Sequence, residues 1–376
     1  MDYSSSSLRT VPRSLLFLLG LIVGVILYAG LNPLNHPFRN GASWSVDAPG
    51  ITFEDTGIAY TLPFVGLEEF IDLSETGFTM ELAIEIPGPA ETGFMFLANF
   101  HSGEESSQLF LGQWERSLIL MNGDDYDHSR RLPRLSANLA QNIGRPILIT
   151  CTSDGEGTRI YIDGKLKAER NSVKLEIPGG SPSGRLVFGN SVYGKYPWKG
   201  RLMGFALFSR GLGAGEIRAN YARWRDSGQF WAEGSDHYEM LIPFDEGRGE
   251  VAYDRSGKGR NVEVRSDVTF LRRRAFENPL GGVRINSGFR RDVVINLVGF
   301  VPFGCVFMGV YGLRRNRSTI SNLVIVTAIG FALSAGIEFS QSWFPARNSS
   351  SLDLLLNTGG SGLGAWGWVM TSRLLR

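Results

Sequence analysis

RRDVVINLVGFVPFG (residues 290–304) and SAGIEFSQSWFPARNSSSLDLLLNTGGSGLG (residues 334–364) lie in a C-terminal region with three long apolar runs, Val293 to Leu313, Thr319 to Phe339 and Leu354 to Met370. A bilayer-spanning helix needs roughly 17 to 25 such residues. Asp292, Asn296 and Gly299 are spaced i, i+4, i+7, and Asp353, Asn357 and Gly360 repeat the spacing, so each set occupies one helix face. Between them Gly330, Ser334, Glu338 and Gln341 form another stripe, and its small residues let helices approach closely. A carboxylate at the bilayer centre costs roughly 2.5 to 3.5 kcal/mol on insertion scales, so ionisable groups at such depth point to a functional site facing the bundle interior. Asp292, Asn296, Glu338, Gln341, Arg347, Asp353 and Asn357 are therefore the candidate ligand-binding cluster, with Arg347 the expected counter-charge of Glu338, Asp353 or Asp292. The bland alternative is a network of interhelical hydrogen bonds, each worth about 0.6 kcal/mol.

In order along the chain, these residues resemble a VanZ-like membrane domain. The pattern D-x3-N, P-x-G, E-x2-Q, P-x-R, D-x3-N-x2-G is matched by Asp292, Asn296, Pro302, Gly304, Glu338, Gln341, Pro345, Arg347, Asp353, Asn357 and Gly360, with Gly299 as a further motif position. The resemblance covers roughly the last quarter of the chain. It implies a small multi-pass bacterial envelope protein linked to glycopeptide antibiotic resistance, and it carries no agreed chemistry.

The chain has 376 residues, a net charge near +1 and two cysteines, Cys151 and Cys305. That length allows two or three domains, the charge argues against nucleic acid as a partner, and the cysteine count implies no disulfide framework. Residues 1–13 form a short basic N-terminus, followed by the apolar run SLLFLLGLIVGVILYAGL at 14–31. It exceeds the 7 to 15 residues of a typical signal h-region, so it is expected to be an uncleaved anchor and the first of four spanning helices. The others are expected at 293–313, 319–339 and 354–370, inside a VanZ-like domain at 292–376. Arg9, Arg13, Arg314, Arg315, Arg317, Arg373 and Arg376 then share one side, which the positive-inside rule makes cytoplasmic. Both termini are placed in the cytoplasm of a bacterial plasma membrane, with residues 32–289 outside.

Between the first and second spans the texture changes to short alternating runs. GFTMELAIEI, GFMFLANF, SQLFLGQW, SLILMN, PILITCT, TRIYIDGKLKAE, GRLVFGN and GRLMGFALFS each read as strand, and Asp163-Gly164 is a type I′ hairpin signal. Many strands at this spacing predict an all-β jelly-roll sandwich over residues 46–264. LITCTSDGEGTRIYIDGKLKAE and LVFGNSVYGKYPWKGRLMGFALFSRGLGAGEI resemble the laminin G-like or concanavalin A-like jelly roll, which implies two packed antiparallel sheets and, often, carbohydrate binding. MLIPFDEGRGEVAYDRSGKGRNVEV is expected to add strands to the same sandwich. Residues 265–291 read as a basic linker to the membrane.

Within the sandwich, Glu81 and Glu85 share a strand face but lack the carboxylate pattern of glucanases, so they are expected to face solvent and no catalytic residue is assigned. Trp114, Tyr126, Tyr193, Tyr196 and Trp198 are the aromatic candidates for stacking on a glycan. Asp124, Asp125 and Asp127 could offer oxygen ligands to calcium, the only cofactor considered, although their loop lacks a complete signature. The expected protein is thus a membrane protein of the bacterial envelope. Its helices engage a lipid or lipid-linked precursor, and its jelly roll holds an extracellular glycan or envelope protein. Two alternatives remain open: a membrane enzyme using Asp292, Glu338 and Asp353 on a lipid headgroup, and an anchored adhesin.

Overall fold

The computed structural model describes residues 11–31, 39–54, 56–62, 77–88, 93–102, 108–123, 132–178, 184–229, 238–267, 275–276, 287–314, 318–344, 347 and 349–374. The chain divides into two compact units, a β unit (Pro37–Leu271) and a helical unit (Met1–His36 with Arg272–Arg376).

The β unit contains, among the described residues, sixteen strands and one helix. These are β1 (Ala42–Trp44), β2 (Ile51–Phe53), β3 (Ala59–Thr61), β4 (Phe78–Glu85), β5 (Phe94–His101), β6 (Gln108–Trp114), β7 (Ser117–Gly123), β8 (Arg134–Asn138), β9 (Pro146–Asp154), β10 (Gly157–Ile162), β11 (Lys165–Arg170), β12 (Arg185–Phe188) and β13 (Gly200–Phe208), then β14 (Tyr238–Ile242), β15 (Val251–Ala252) and β16 (Val262–Glu263). The first sheet has the order β1-β2-β13-β4-β9-β10-β11, with β14 also paired to β13, and the second β15-β16-β3-β12-β5-β6-β7-β8. Every pairing is antiparallel. The unit is therefore a jelly-roll-like sandwich. Its core lies between the sheets, where Leu82, Ile84 and Phe205 of the first meet Phe100, Leu109 and Leu120 of the second. Between β10 and β11, Asp163 and Gly164 have φ of 53° and 70°, as a type I′ turn requires. The segment after the expected strands does join the sandwich, and it contributes to both sheets through β14, β15 and β16.

One helix lies outside the sequence reading. AGEIRANYARWRDS forms α2 (Ala214–Ser227) between β13 and β14, α1 being the N-terminal helix Arg13–Leu31. Glu216 in its first turn accepts from the Gly213 amide at 2.9 Å, and Gly228 ends it with a left-handed φ of 69°. Ile217 and Trp224 pack on Ala83, Leu148 and Phe208, the outer face of the first sheet. This overturns the expectation for Glu81, which is only 1% exposed. Its carboxylate accepts from Thr150 Oγ1 (3.0 Å) and from Asn220 Nδ2 (3.2 Å). Burial pushes its pKa up to about 7 against those hydrogen bonds and the Arg223 charge. Glu85, also expected in solvent, is partly buried and paired with Arg201.

The helical unit comprises α1, α3 (Ser287–Gly299), α4 (Val301–Arg314), α5 (Thr319–Gln341) and α6 (Ser351–Leu374). A single span was expected over 293–313, but the helix starts at Ser287 and breaks at Phe300. Pro302 accounts for the break, since it has no N–H and its ring opposes the carbonyl of residue 298. Arg13–Leu31, Phe289–Gly312 taken through the break, and Thr319–Gln341 are long and apolar enough to cross a membrane. The fourth expected span, α6, has 24 residues, about 36 Å at the helical rise, but its middle run TGGSG makes it less apolar than the other three.

Backbone contact between α4 and α6 is close where glycines fall. A Cβ at Gly304 would strike the Ser361 carbonyl, one at Gly360 the Leu297 carbonyl of α3, and one at Gly364 the Val301 carbonyl. Gly299, in contrast, faces open space.

Candidate functional site

In the helical unit, the predicted polar residues are drawn into hydrogen bonds between helices. Gln341 Nε2 donates to the Gly30 carbonyl (2.8 Å) and Arg347 Nη2 to the Ala29 carbonyl (3.0 Å). Both acceptors belong to the last turn of α1, whose carbonyls lack intrahelical donors. Arg347 is thus spent on a helix end, and its charge reaches Glu338 without an ion pair among the described residues. Glu338, 2% exposed, accepts from the Ser350 amide at 2.7 Å, while the Ser350 hydroxyl caps α6 by accepting from the Leu352 and Asp353 amides (3.2 and 3.4 Å). The two D-x3-N stripes do converge, because Asn296 of α3 lies within hydrogen-bonding reach of Asp353 of α6. Asp292 is exposed at the start of this stripe. One turn deeper, Asn357 Nδ2 donates to Ser334 Oγ at 3.0 Å, and its Oδ1 is buried with no partner. Of the motif positions, Gly304 and Gly360 make the close backbone contacts and Pro302 breaks the helix. Pro345 lies outside the described residues.

The glycan candidates of the β unit separate. Trp198 is buried in the core against Phe53, with Nε1 donating to Gln113 Oε1 (3.1 Å), so it is a packing residue and not a sugar platform. Tyr196 stacks on Phe96 at 5.1 Å, and Tyr193 is buried edge-on to His101 at 5.9 Å. Trp114 remains exposed, at 46%. Tyr126, Asp124, Asp125 and Asp127 lie outside the described residues.

The register assembles a polar face that the sequence reading missed. Asn99 opposes Phe110 on one side and Val187 on the other, and His101 opposes both Gln108 and Arg185. Directly paired residues share a face of the sheet, and Phe100, Leu109 and Leu186 point the other way, into the core. The outward face of the second sheet therefore carries Asn99, His101, Gln108 and Arg185, with Tyr60 next to Val187 on β3. Asn99 Nδ2 donates to Gln108 Oε1 at 2.7 Å, and its Oδ1, fully buried, has no partner among the described residues. Burial and the Arg185 charge push the His101 pKa down to about 4, so its imidazole is neutral at ordinary pH. Arg185 is half-buried over the Tyr60 ring, 5.5 Å from its centroid. In sequence, the alternation of Asn99, His101 and Gln108 with large apolar residues was the available signal.

No curated protein matches the chain. Among solved structures, Trypanosoma rangeli sialidase in complex with 2,3-difluorosialic acid is 17% identical over 50% of this chain and 29% of its own, with a TM-score of 0.37. The binding domain of botulinum neurotoxin serotype C1 is 13% identical over 49% of this chain and 46% of its own, at 0.38. The chain spans less than half the length of either. The family models matched are VanZ/LLP1 at residues 222–373 and the concanavalin A-like lectin/glucanases superfamily at residues 65–218. The first match begins within α2 and takes in β14 to β16, so the family boundary falls inside the β unit and not at its edge. Residues 65–218 are thus similar to the concanavalin A-like superfamily and residues 222–373 to the VanZ/LLP1 family.

Proposed function

We propose that this is a membrane protein of the bacterial cell envelope that holds a glycan on the outward face of its second sheet, on the extracytoplasmic side. The observation that carries this reading is Asn99. Its amide is fixed by Gln108, and its buried Oδ1 is an acceptor without a donor. Such a group is costly to bury unsatisfied, by about 1–3 kcal/mol, and a sugar hydroxyl would supply the missing donor. His101 and Tyr193 beside it give a neutral aromatic wall. A glycan array probed with the full chain in detergent tests the reading. Binding to at least one saccharide class, weakened about tenfold in Asn99→Ala while the variant, at a lower melting temperature, is still folded at the assay temperature, is the expected result. Loss in Trp114→Ala alone would move the site to the other end of this face, and absence of any binding would remove the glycan reading.

A second reading concerns the helices, and Asn357 favours it. Its unpartnered Oδ1, one turn beneath Asp353 and Asn296, marks where the D-x3-N stripes could receive a lipid or lipid-linked headgroup. Native mass spectrometry of the purified protein should then show bound lipid that is lost in Asp353→Asn. Equal lipid in parent and variant would leave these residues with packing alone. The link to glycopeptide resistance rests on the family resemblance and is read in cells as a change in teicoplanin susceptibility on deletion.

A further inference from the structure

Building on the glycan reading, we infer that the ligand is an acidic saccharide whose carboxylate sits on Arg185. Arg201, Arg210 and Arg255 of the same unit each meet a carboxylate, Glu85, Glu216 and Asp245 respectively. Arg185 meets none among the described residues, although it is half-buried and its Nε is buried without a partner. Burial works against its charge, and what offsets this is the Tyr60 ring beneath it. Among the described residues, the groups directly paired with it on this face add no negative charge. His101, directly opposite, is neutral, and Asn99 and Gln108 are amides. A partly desolvated guanidinium with an uncommitted fork suits a planar carboxylate, which it can bind with two parallel hydrogen bonds. The amides would serve the ring hydroxyls next to it.

Arg185 is half-buried where Asn99 and Gln108 are fully covered, so the guanidinium is the group of this set that solvent reaches and the carboxylate is the anchoring group of the ligand.

The test uses the full chain in detergent, titrated by calorimetry with an oligogalacturonate, a neutral galactan oligomer of the same length and a phosphorylated oligosaccharide. The expected result is binding of the oligogalacturonate about tenfold tighter than the neutral oligomer, with the difference shrinking as salt is raised. Arg185→Gln should erase the difference, and Arg185→Lys should keep only part of it, since lysine retains the charge without the fork. Melting temperatures of both variants check that the fold is intact. Equal affinity for acidic and neutral oligomers, or a difference that survives Arg185→Gln, overturns the acidic assignment and leaves the glycan reading standing. Tighter binding of the phosphorylated probe overturns the carboxylate in favour of a phosphate. Failure to bind any of the three, with no glycan found on the array, overturns both.

Discussion

Alanine at Gly304, Gly360 or Gly364 is expected to lower the stability of the helical unit by about 1–3 kcal/mol at each position, while alanine at Gly299 leaves it within a few tenths or slightly improves it through helix propensity. The new methyl group at the first three positions would overlap a backbone carbonyl, of Ser361, Leu297 and Val301 respectively. A backbone atom cannot rotate aside as a side chain can, so the helices must move apart and lose the packing that holds them. At Gly299 a methyl group meets nothing within 4 Å. Gly359, next to Gly360, is a second control, because its nearest contact is the flexible end of Leu297 at 3.7 Å. Thermal unfolding in detergent, followed by helical circular dichroism, gives the comparison. Equal losses at Gly299 and Gly360 would mean that glycine acts through helix propensity and not through contact.

Glu81→Gln should stabilise the β unit at neutral pH and do nothing at acid pH. The carboxyl has a pKa of about 7 in the folded protein against 4.5 unfolded. The folded state therefore binds the proton more tightly, and stability is lost as pH rises from 4.5 through 7. At 1.36 kcal/mol per pKa unit the loss is on the order of 3 kcal/mol. Glutamine cannot ionise, so the variant avoids that loss. His101 has the opposite sign. Its folded pKa of about 4 lies below the ordinary imidazole value of 6.5, so its contribution is lost as pH falls through that range. The two slopes oppose each other between pH 4.5 and 6.5 and leave the parent nearly flat there. Urea unfolding at pH 4.5 and 7.5 should show parent and Glu81→Gln alike at the lower pH and the variant ahead at the higher. A difference independent of pH would contradict the buried, proton-holding Glu81.

Much of the β fold could be read from sequence because strand alternation and turn chemistry are local. GFTMELAIEI, SLILMN and the Asp163-Gly164 turn all fall where their patterns put them. Glu81 was misread for a non-local reason. Alternation says that Glu81 points away from Leu82 and Ile84, but whether that face is wet depends on what covers it, and here α2 does. AGEIRANYARWRDS carries few apolar residues in a short stripe, so the pattern of its helix is weak in sequence. Trp198 was misassigned for a related reason. Its loop neighbours looked exposed, yet the ring folds back into the core. Alternation hints at the outward set of Asn99, His101 and Gln108 on the consecutive strands β5 and β6, but Arg185 joins it only through the register of β12, more than 80 residues after His101 in the chain. In the helices, spacing alone located the polar ends. It did not reveal that Gln341 and Arg347 would serve the carbonyls of α1, more than 300 residues earlier in the chain. The G-x3-G pair Gly360 and Gly364 was legible as a close-packing signal, and only its first member was singled out.

The glycan readings depend on the β unit lying on the extracytoplasmic side, where a glycan can reach it. Alkaline phosphatase is active only after export, so fusions at two junctions report the side directly. On the proposed orientation, which follows the positive-inside rule, Arg314, Arg315 and Arg317 are cytoplasmic and the β unit lies on the opposite side. The account predicts an active enzyme when it is fused after Gly281 and an inactive one after Arg317. An inactive fusion after Gly281, or activity at both junctions, would contradict it.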